Sequence, residues 1–319
     1  MRVSHPRVPP SCRAGARWAG CAGAAAALAL GALNATAAGV PHLNHVVVVV
    51  MENKSYDQVR TQPYVASLIA SGAAVPHSHG VTHPSQPNYL ALWAASTLGV
   101  TTNGCPAPSS PFTAENFGHA CEAAGKSWRA YSEDLPAPGS TVCSYDGDIS
   151  TGLYTRKHAP WTQFGNLDHT NERPYSDLAL DLAAGTLPAL AFIVPDNCHN
   201  THNSGTPGCT VPDGDAWLAA NLPAMLGALG PTGVLILTWD EDDNSTDNHI
   251  LTVMVGAPVM PGAASNANVT HYTVVRTICE ALGLPAFGLS AGEAPITDVW
   301  VAPVPARAPS WGRLKLHYR

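Results

Sequence analysis

The chain has 319 residues, 45% of them hydrophobic and only 12% charged, which is ample for a sizeable core in one large domain or two small ones. A formal charge of −7 leaves no electrostatic footprint for nucleic acid, and no basic run suggests an anionic membrane surface. Beyond the N-terminal region no stretch approaches the ~20 apolar residues of a membrane span, so a stable membrane anchor is not expected.

Residues 1–37 read as a signal peptide rather than as fold. Arg2, Arg7, Arg13 and Arg17 make a basic start, residues 20–33 an Ala/Leu-rich apolar core, and Ala35-Thr36-Ala37 a small-residue cleavage site. The remainder, 38–319, is expected to be secreted or periplasmic as a single domain. Its six cysteines, an even count, favour disulfides in an oxidising compartment. They contain no Cys-x-x-Cys pair, which argues against a thiolate zinc site. Cys198 and Cys209 are close enough to staple a local loop.

The first element is His45-Val46-Val47-Val48-Val49-Val50-Met51, a β-branched run apolar on both faces, as in a strand buried in a parallel sheet. It stops at Glu52 and Asn53, and ligands in open α/β sheets sit just outside the carboxyl ends of strands. Residues 63–72 carry a helical stripe of Val65, Leu68 and Ile69. Pro84 and Pro87 then fix the backbone around Ser85, with a helix expected behind it over 89–98. Ser85 is either a helix cap or a hydroxyl presented beside helix N–H groups that favour an anion.

Residues 99–174 look irregular and aromatic-rich, an insertion over the sheet apart from a short helix near 114–125. A second apolar strand over 187–195 ends in Asp196, His199 and His202. A helix over 213–229 follows, with Asp213 and Asp215 in its first turn and Pro223 inside it. A third strand, 233–239, runs into Asp240-Glu241-Asp242-Asp243, whose mutual repulsion calls for solvent or a cation. The fourth strand starts at His249, and His271 opens the last helix. Strands alternating with helices give an α/β class with a mostly parallel sheet. The tail beyond Pro303 reads as irregular.

Carboxylates, amides and imidazoles without thiolates suit a hard or borderline divalent cation such as Ca, Mg, Mn or Zn. A serine beside such a cation can be deprotonated and attack an electrophile, and histidines can protonate a leaving group. Phosphoryl transfer fits this set best, because its transition state chiefly needs charge neutralisation and in-line positioning. Walker-type and Rossmann glycine loops are absent, as is the Gly-x-Ser-x-Gly of serine hydrolases.

Four stretches carry a family resemblance: Val49-Val50-Met51-Glu52-Asn53-Lys54-Ser55-Tyr56, Thr82-His83-Pro84-Ser85-Gln86-Pro87-Asn88-Tyr89, Pro195-Asp196-Asn197-Cys198-His199-Asn200-Thr201-His202 and Thr238-Trp239-Asp240-Glu241-Asp242-Asp243. In this order the chain resembles the bacterial phosphoesterase family of acid phosphatases and phospholipases C, within the alkaline phosphatase superfamily. Glu133-Asp134-Leu135-Pro136 and Arg156-Lys157-His158-Ala159-Pro160-Trp161 make it most similar to the short, secreted acid phosphatase form found in mycobacteria.

The resemblance implies a three-layer α/β/α sandwich around a mostly parallel sheet. It implies metal binding by Glu52, Asn53, Asp240 and Glu241, and a phosphoryl-accepting Ser85. His202 would assist the leaving group, and His83, Asn88, Asp196, His199 and His271 would contact substrate. It pairs Cys105 with Cys143. The activity implied is a secreted phosphomonoesterase acting on phosphate esters, phosphoinositides such as phosphatidylinositol 3-phosphate among them. The alternatives are a phospholipase C and an inactive metal- or phosphate-binding protein. Asn203 stands where many members have an acid, which counts against a two-metal site. The Cys198–Cys209 loop is an elaboration on the mycobacterial form.

Overall fold

The structure is a computed structural model that describes residues 39–105, 111–203 and 208–301. The expected leader and the tail after Pro303 lie outside the described residues. In chain order the elements are β1 (His45–Met51), α1 (Tyr56–Val59), α2 (Pro63–Ser71), β2 (Ala73–His79), α3 (Ser85–Ala94), α4 (Phe117–Ala123) and β3 (Trp128–Ser132). Two short strands, β4 (Ser144–Tyr145) and β5 (Tyr154–Thr155), pair with each other. Then come β6 (Glu172–Pro174), α5 (Ser176–Ala184), β7 (Leu190–Val194), α6 (Val211–Ala228), β8 (Gly233–Trp239), β9 (His249–Val255), β10 (Ala263–Ala264), β11 (Val269–Thr270) and α7 (His271–Leu282).

The central sheet, nine-stranded among the described residues, runs β10-β2-β9-β8-β1-β7-β3-β6, with β11 also on β2. β9 alone runs antiparallel to its neighbours β8 and β2. β1 lies between β7 and β8 in parallel register, Val46 opposite both Leu190 and Val234. Its five valines are completely buried because each face of the strand is covered by a separate core. Val46, Val48 and Val50 pack on one face with Tyr89 and Trp93 of α3, Phe117 of α4 and Ile278 of α7. Val47, Val49 and Met51 pack on the other with Leu68 of α2, Leu178 of α5 and Leu218 and Leu222 of α6. The result is the three-layer α/β/α sandwich. At about 1.5–3 kcal/mol for each fully buried valine, β1 is firmly held and gives the site a rigid support.

Three expectations are corrected. The helix behind Ser85 begins at Ser85 itself and ends at Ala94, followed by Ala95 in the left-handed region. Pro87 does not delay it, because the first turn's N–H groups have no intrahelical partner in any case. The stretch 99–174 is more than an insertion: it supplies β3 and β6 to the central sheet. These strands sit toward the sheet edge, are short and carry Arg129 and Arg173, so they lack the apolar run that marks a central strand. The helix of 213–229 starts at Val211, where Thr210 and Asp213 form a reciprocal cap, and it continues through Pro223.

Both anticipated disulfides are present, Cys105–Cys143 and Cys198–Cys209, while Cys121 and Cys279 are buried unbridged thiols. The carboxyl ends of β1, β7, β3 and β8 share one edge of the sheet with the start of antiparallel β9. The turn from β2 into α3 brings Ser85 to that edge.

Candidate active site

Glu52 leaves β1 fully buried, and the loop after β7 clasps its backbone: its N–H donates to the Asn200 carbonyl (2.8 Å) and its carbonyl accepts from Thr201 Oγ1 (2.8 Å). α6 presses on that loop through Gly214, where a Cβ would lie 2.9 Å from the His199 carbonyl oxygen. Asn53 follows with φ 45°, in the left-handed region that asparagine tolerates better than most residues. The bend lets its backbone N–H donate to Asp240 Oδ1 (3.2 Å) and its amide to Glu241 Oε1 (3.1 Å). Met51 is registered opposite Trp239, so Glu52 and Asp240 leave neighbouring strands together.

Ser85, the first residue of α3, faces this group. Its Oγ lies 3.0 Å from Glu241 Oε1, 3.2 Å from Glu52 Oε2 and 3.4 Å from Asn53 Oδ1. A hydroxyl has one proton to give, so at most one of these three contacts is a hydrogen bond. The remaining oxygen–oxygen approaches are unfavourable unless a cation, or a proton on a carboxyl group, lies between them. Among the described residues Asp240 Oδ2 and Glu52 Oε1 are buried and without a hydrogen-bond partner. Burial, and for Asp240 and Glu241 also repulsion from their acidic neighbours, opposes the charged form of all three acids. Glu52 is raised, Asp240 is raised well above the carboxylate range, and Glu241 is pushed up to about 7. These residues fit a divalent cation. The positive end of the α3 dipole, at Ser85, adds attraction for an anionic group.

On the other side of Glu52 stands a basic group. Ligand atoms of Glu52, His158 and His202 all lie within 4.8 Å of one another. His158 Nε2 is 3.1 Å from Glu52 Oε1, yet neither atom has a hydrogen-bond partner among the described residues. Lys157 Nζ is 3.3 Å from His202 Nε2. The His158 ring stacks on Tyr89 of α3 at 4.9 Å between centroids, and burial holds its pKa well below the usual imidazole value. Lys157 and His158 were not among the expected site residues. Their signal was the Arg156-Lys157-His158 run itself, three basic residues together in a chain with so few charges.

The open face of the site is a cleft of about 330 Å³ whose walls include Lys54, His83, Ser85, Asn103, His202 and Glu241. His83 lines it, holding Glu241 Oε2 through Nδ1 (2.6 Å) and contacting the Ser245 carbonyl through Nε2 (3.0 Å).

The other expected substrate contacts stand elsewhere. Asn88 is fully buried; its amide donates to the Thr82 and Pro84 carbonyls (2.7 and 3.2 Å) and to Glu241 Oε2 (3.3 Å), so it holds the turn rather than facing the cleft. His271 is also buried, pushed down to about 4 by burial, and its Nε2 donates to the Asp240 carbonyl (2.5 Å). Asp196 and His199 part from His202: His199 Nδ1 contacts Glu133 Oε2 (2.9 Å) and Asp196 Oδ2 (3.1 Å), and its ring stacks beside Trp217. The Asp196 carboxylate also accepts the N–H groups of Cys198 and His199, a local tie that fixes this separation. His249, at the start of β9, contacts the Pro76 carbonyl (2.7 Å) between the rings of Tyr56 and His79.

A three-layer sandwich with these carboxylates at the carboxyl edge of its sheet has the fold of the alkaline phosphatase superfamily. An alkaline phosphatase superfamily protein from Vibrio parahaemolyticus superposes with a TM-score of 0.58 at 10% identity, over 78% of this chain and 69% of that one. Murine ectonucleotide pyrophosphatase/phosphodiesterase 5 superposes with a TM-score of 0.54 at 13% identity, over 77% and 96%.

The Phosphoesterase family model matches residues 59–285. The phosphatidylinositol-3-phosphatase of Mycobacterium tuberculosis is 39% identical over 268 residues, 83% of this chain and 85% of that protein. An acid phosphatase of Aspergillus fumigatus is 26% identical over 251 residues, 75% of this chain but only 54% of the fungal protein. The chain therefore belongs to the phosphoesterase family, and it is a phosphoric ester hydrolase.

Proposed function

We propose that the chain is an exported phosphomonoesterase of the acid phosphatase type, a single domain over 38–319, with Ser85 as nucleophile and phosphoinositides such as phosphatidylinositol 3-phosphate among its substrates. The observation that carries the reading is the serine hydroxyl at a helix start, 3.0–3.4 Å from three oxygens of Glu52, Asn53 and Glu241. The phosphoinositide class rests on the name of the mycobacterial relative. Export rests on the leader. Among the described residues no helix is long and apolar enough to cross a membrane.

Glu52, Asn53, Asp240 and Glu241 would hold the cation, which when bound neutralises charge on the serine oxygen and the phosphoryl group. Ser85 Oγ attacks phosphorus as the ester P–O bond breaks, and its proton has Glu241 Oε1 as nearest acceptor. In this reading His202 protonates the departing alcohol, and Lys157, whose Nζ lies 3.3 Å from His202 Nε2, adds positive charge. Water then cleaves the Ser85 phosphoester. Lys54 at the cleft wall and the α3 dipole attract the anionic ester.

The test is a panel of phosphate esters offered to the mature protein after chelation and re-addition of single divalent metals. Phosphomonoesters should turn over, and Ser85→Ala should lose activity by about 10³-fold or more while melting normally. Near-normal turnover in Ser85→Ala defeats the nucleophile assignment, and faster cleavage of phosphatidylcholine than of any monoester defeats the monoesterase reading.

A further inference from the structure

A second cavity of about 330 Å³ lies outside the cleft, walled by the 139–141 loop, Arg156 and the stretch 162–165. Arg156 is 4% exposed. Its terminal nitrogens donate to the Thr141 carbonyl (3.1 Å) and the Thr162 carbonyl (3.2 Å), and its Nε has no partner among the described residues. None of their carboxylates pairs with it, and the residues outside them contain no Asp or Glu side chain. Glu172, the acid on the cavity wall, is turned to His169 Nδ1 at 2.5 Å. A buried guanidinium left without a counter-ion is strongly unfavourable, and its Nε is closed even to water.

Gln163, on the same wall and also buried, supplies the second observation. Its Oε1 accepts from Gln86 Nε2 at 3.3 Å, while its own Nε2 has no partner among the described residues. Two side chains that each carry an orphaned buried donor, one of them cationic, thus line one cavity. The cavity is also wired to the cleft. Gln86 follows Ser85 in the first turn of α3; its N–H donates to Asn103 Oδ1 (3.0 Å), and its Oε1 accepts from the Gly104 N–H (2.7 Å). Asn103 lines the cleft, and the Cys105–Cys143 disulfide ties its segment to the one whose Cys143 carbonyl accepts from the Arg156 N–H (2.8 Å).

We propose that this cavity binds a phosphate group between Arg156 and Gln163, and that its occupancy is felt at Ser85 through Gln86. A tetrahedral oxyanion presents acceptors in several directions, which suits two separate side chains with unused donors and neutralises the guanidinium. The phosphate is either free, as the product of the hydrolysis, or the second phosphate of a polyphosphorylated ester. The link to Ser85 rests on the reading of that residue as nucleophile; the binding site does not.

Equilibrium dialysis of inorganic phosphate against the metal-loaded protein tests the site without turnover. A second equivalent beyond the one in the cleft is expected, held about tenfold more weakly or lost in Arg156→Gln and in Gln163→Glu. Gln163→Glu keeps the oxygen that accepts from Gln86, so it serves if Arg156→Gln fails to fold. A single equivalent in the wild type, or a second one unchanged in a folded variant, overturns the site. Kinetics then separate the sources. Mixed inhibition by phosphate that becomes competitive in the variants identifies free phosphate. A preference for bis- over monophosphorylated esters that the variants lose identifies the substrate's own second group. Purely competitive inhibition, with equal variant losses on both esters, overturns the link to Ser85. Absence of all turnover with the second equivalent still bound would defeat the phosphomonoesterase reading alone.

Discussion

Glu52 faces two ways, Oε2 toward Ser85 and Oε1 toward His158, so on the proposed reading it would divide the site into a nucleophile side and a leaving-group side. If His202 protonates the leaving alcohol, His202→Gln should lower kcat by about 10²–10⁴ on an alkyl phosphate. It should matter far less on p-nitrophenyl phosphate, whose leaving group needs no proton, and equal losses on both esters would remove the acid role. His199 makes a different prediction because its two carboxylate partners raise its pKa to about 10. A histidine raised above its unfolded value of about 6.5 contributes fully below that pH and loses the contribution as pH rises toward 10. His199→Gln should therefore lower stability at pH 6 by on the order of 1 kcal/mol, discounted for the partial exposure of His199 and read as a lower melting temperature, and the gap should close near pH 10. A gap independent of pH would mean that the loss is one of packing. Glu52, Asn53, Asp240 and Glu241 were legible because each ends a strand, and Ser85 because prolines frame it. Asn88 and His271 were not, since nothing in a polar residue's type says that its partner is a backbone carbonyl beneath the site. Lys157 and His158 hid in a stretch without regular periodicity.

Among the elements, α2 shows how one helix depends on another. Both oxygens of Asp215 on α6 accept backbone N–H groups of the first turn of α2, those of Tyr64 and Val65, each at 2.9 Å. Residue 62 provides no side-chain cap of its own. Asp215→Ala should leave those donors unpaired and lower stability by about 1–3 kcal/mol in urea unfolding, with a smaller loss for Asp215→Asn. An unchanged midpoint in Asp215→Ala would show that water replaces the cap at no cost. The sequence pattern pointed to Asp215 as a first-turn acid of its own helix, because a cap borrowed across two helices has no spacing signature. Periodicity found β1, β7, β8, β9, α2, α6 and α7, whose apolar runs or stripes serve two cores. It missed β2, where Pro76 and two histidines interrupt the pattern and the pairing with β9 shifts register between Val75 and Ser78. It missed β3 and β6 because strands near a sheet edge need less apolar sequence.

For the molecule as a whole, the two cores fix what the sheet edge must carry. β1 and β8 are adjacent strands about 4.8 Å apart, so the acids at their ends cannot separate without unpairing a register held by valines buried on both faces. Without a cation the folded state bears that repulsion and the unfolded chain escapes it, so a cation that binds only the folded state should stabilise it. At a concentration a hundred times its Kd the gain is about 2.7 kcal/mol. For a protein of this size that is roughly a 5 °C rise in Tm. Melting the chelated protein with Ca, Mg, Mn and Zn added singly reads this directly, and it needs no substrate. Asp240→Asn sharpens the test, because it removes one buried charge while keeping the side chain's shape. The chelated variant should melt at or above the chelated wild type, and it should gain little from any cation. A wild type that ignores every cation removes the metal from the site. A variant that melts well below the wild type in chelator would show that the Asp240 carboxylate serves the fold through its bond to the Asn53 N–H rather than by waiting for an ion.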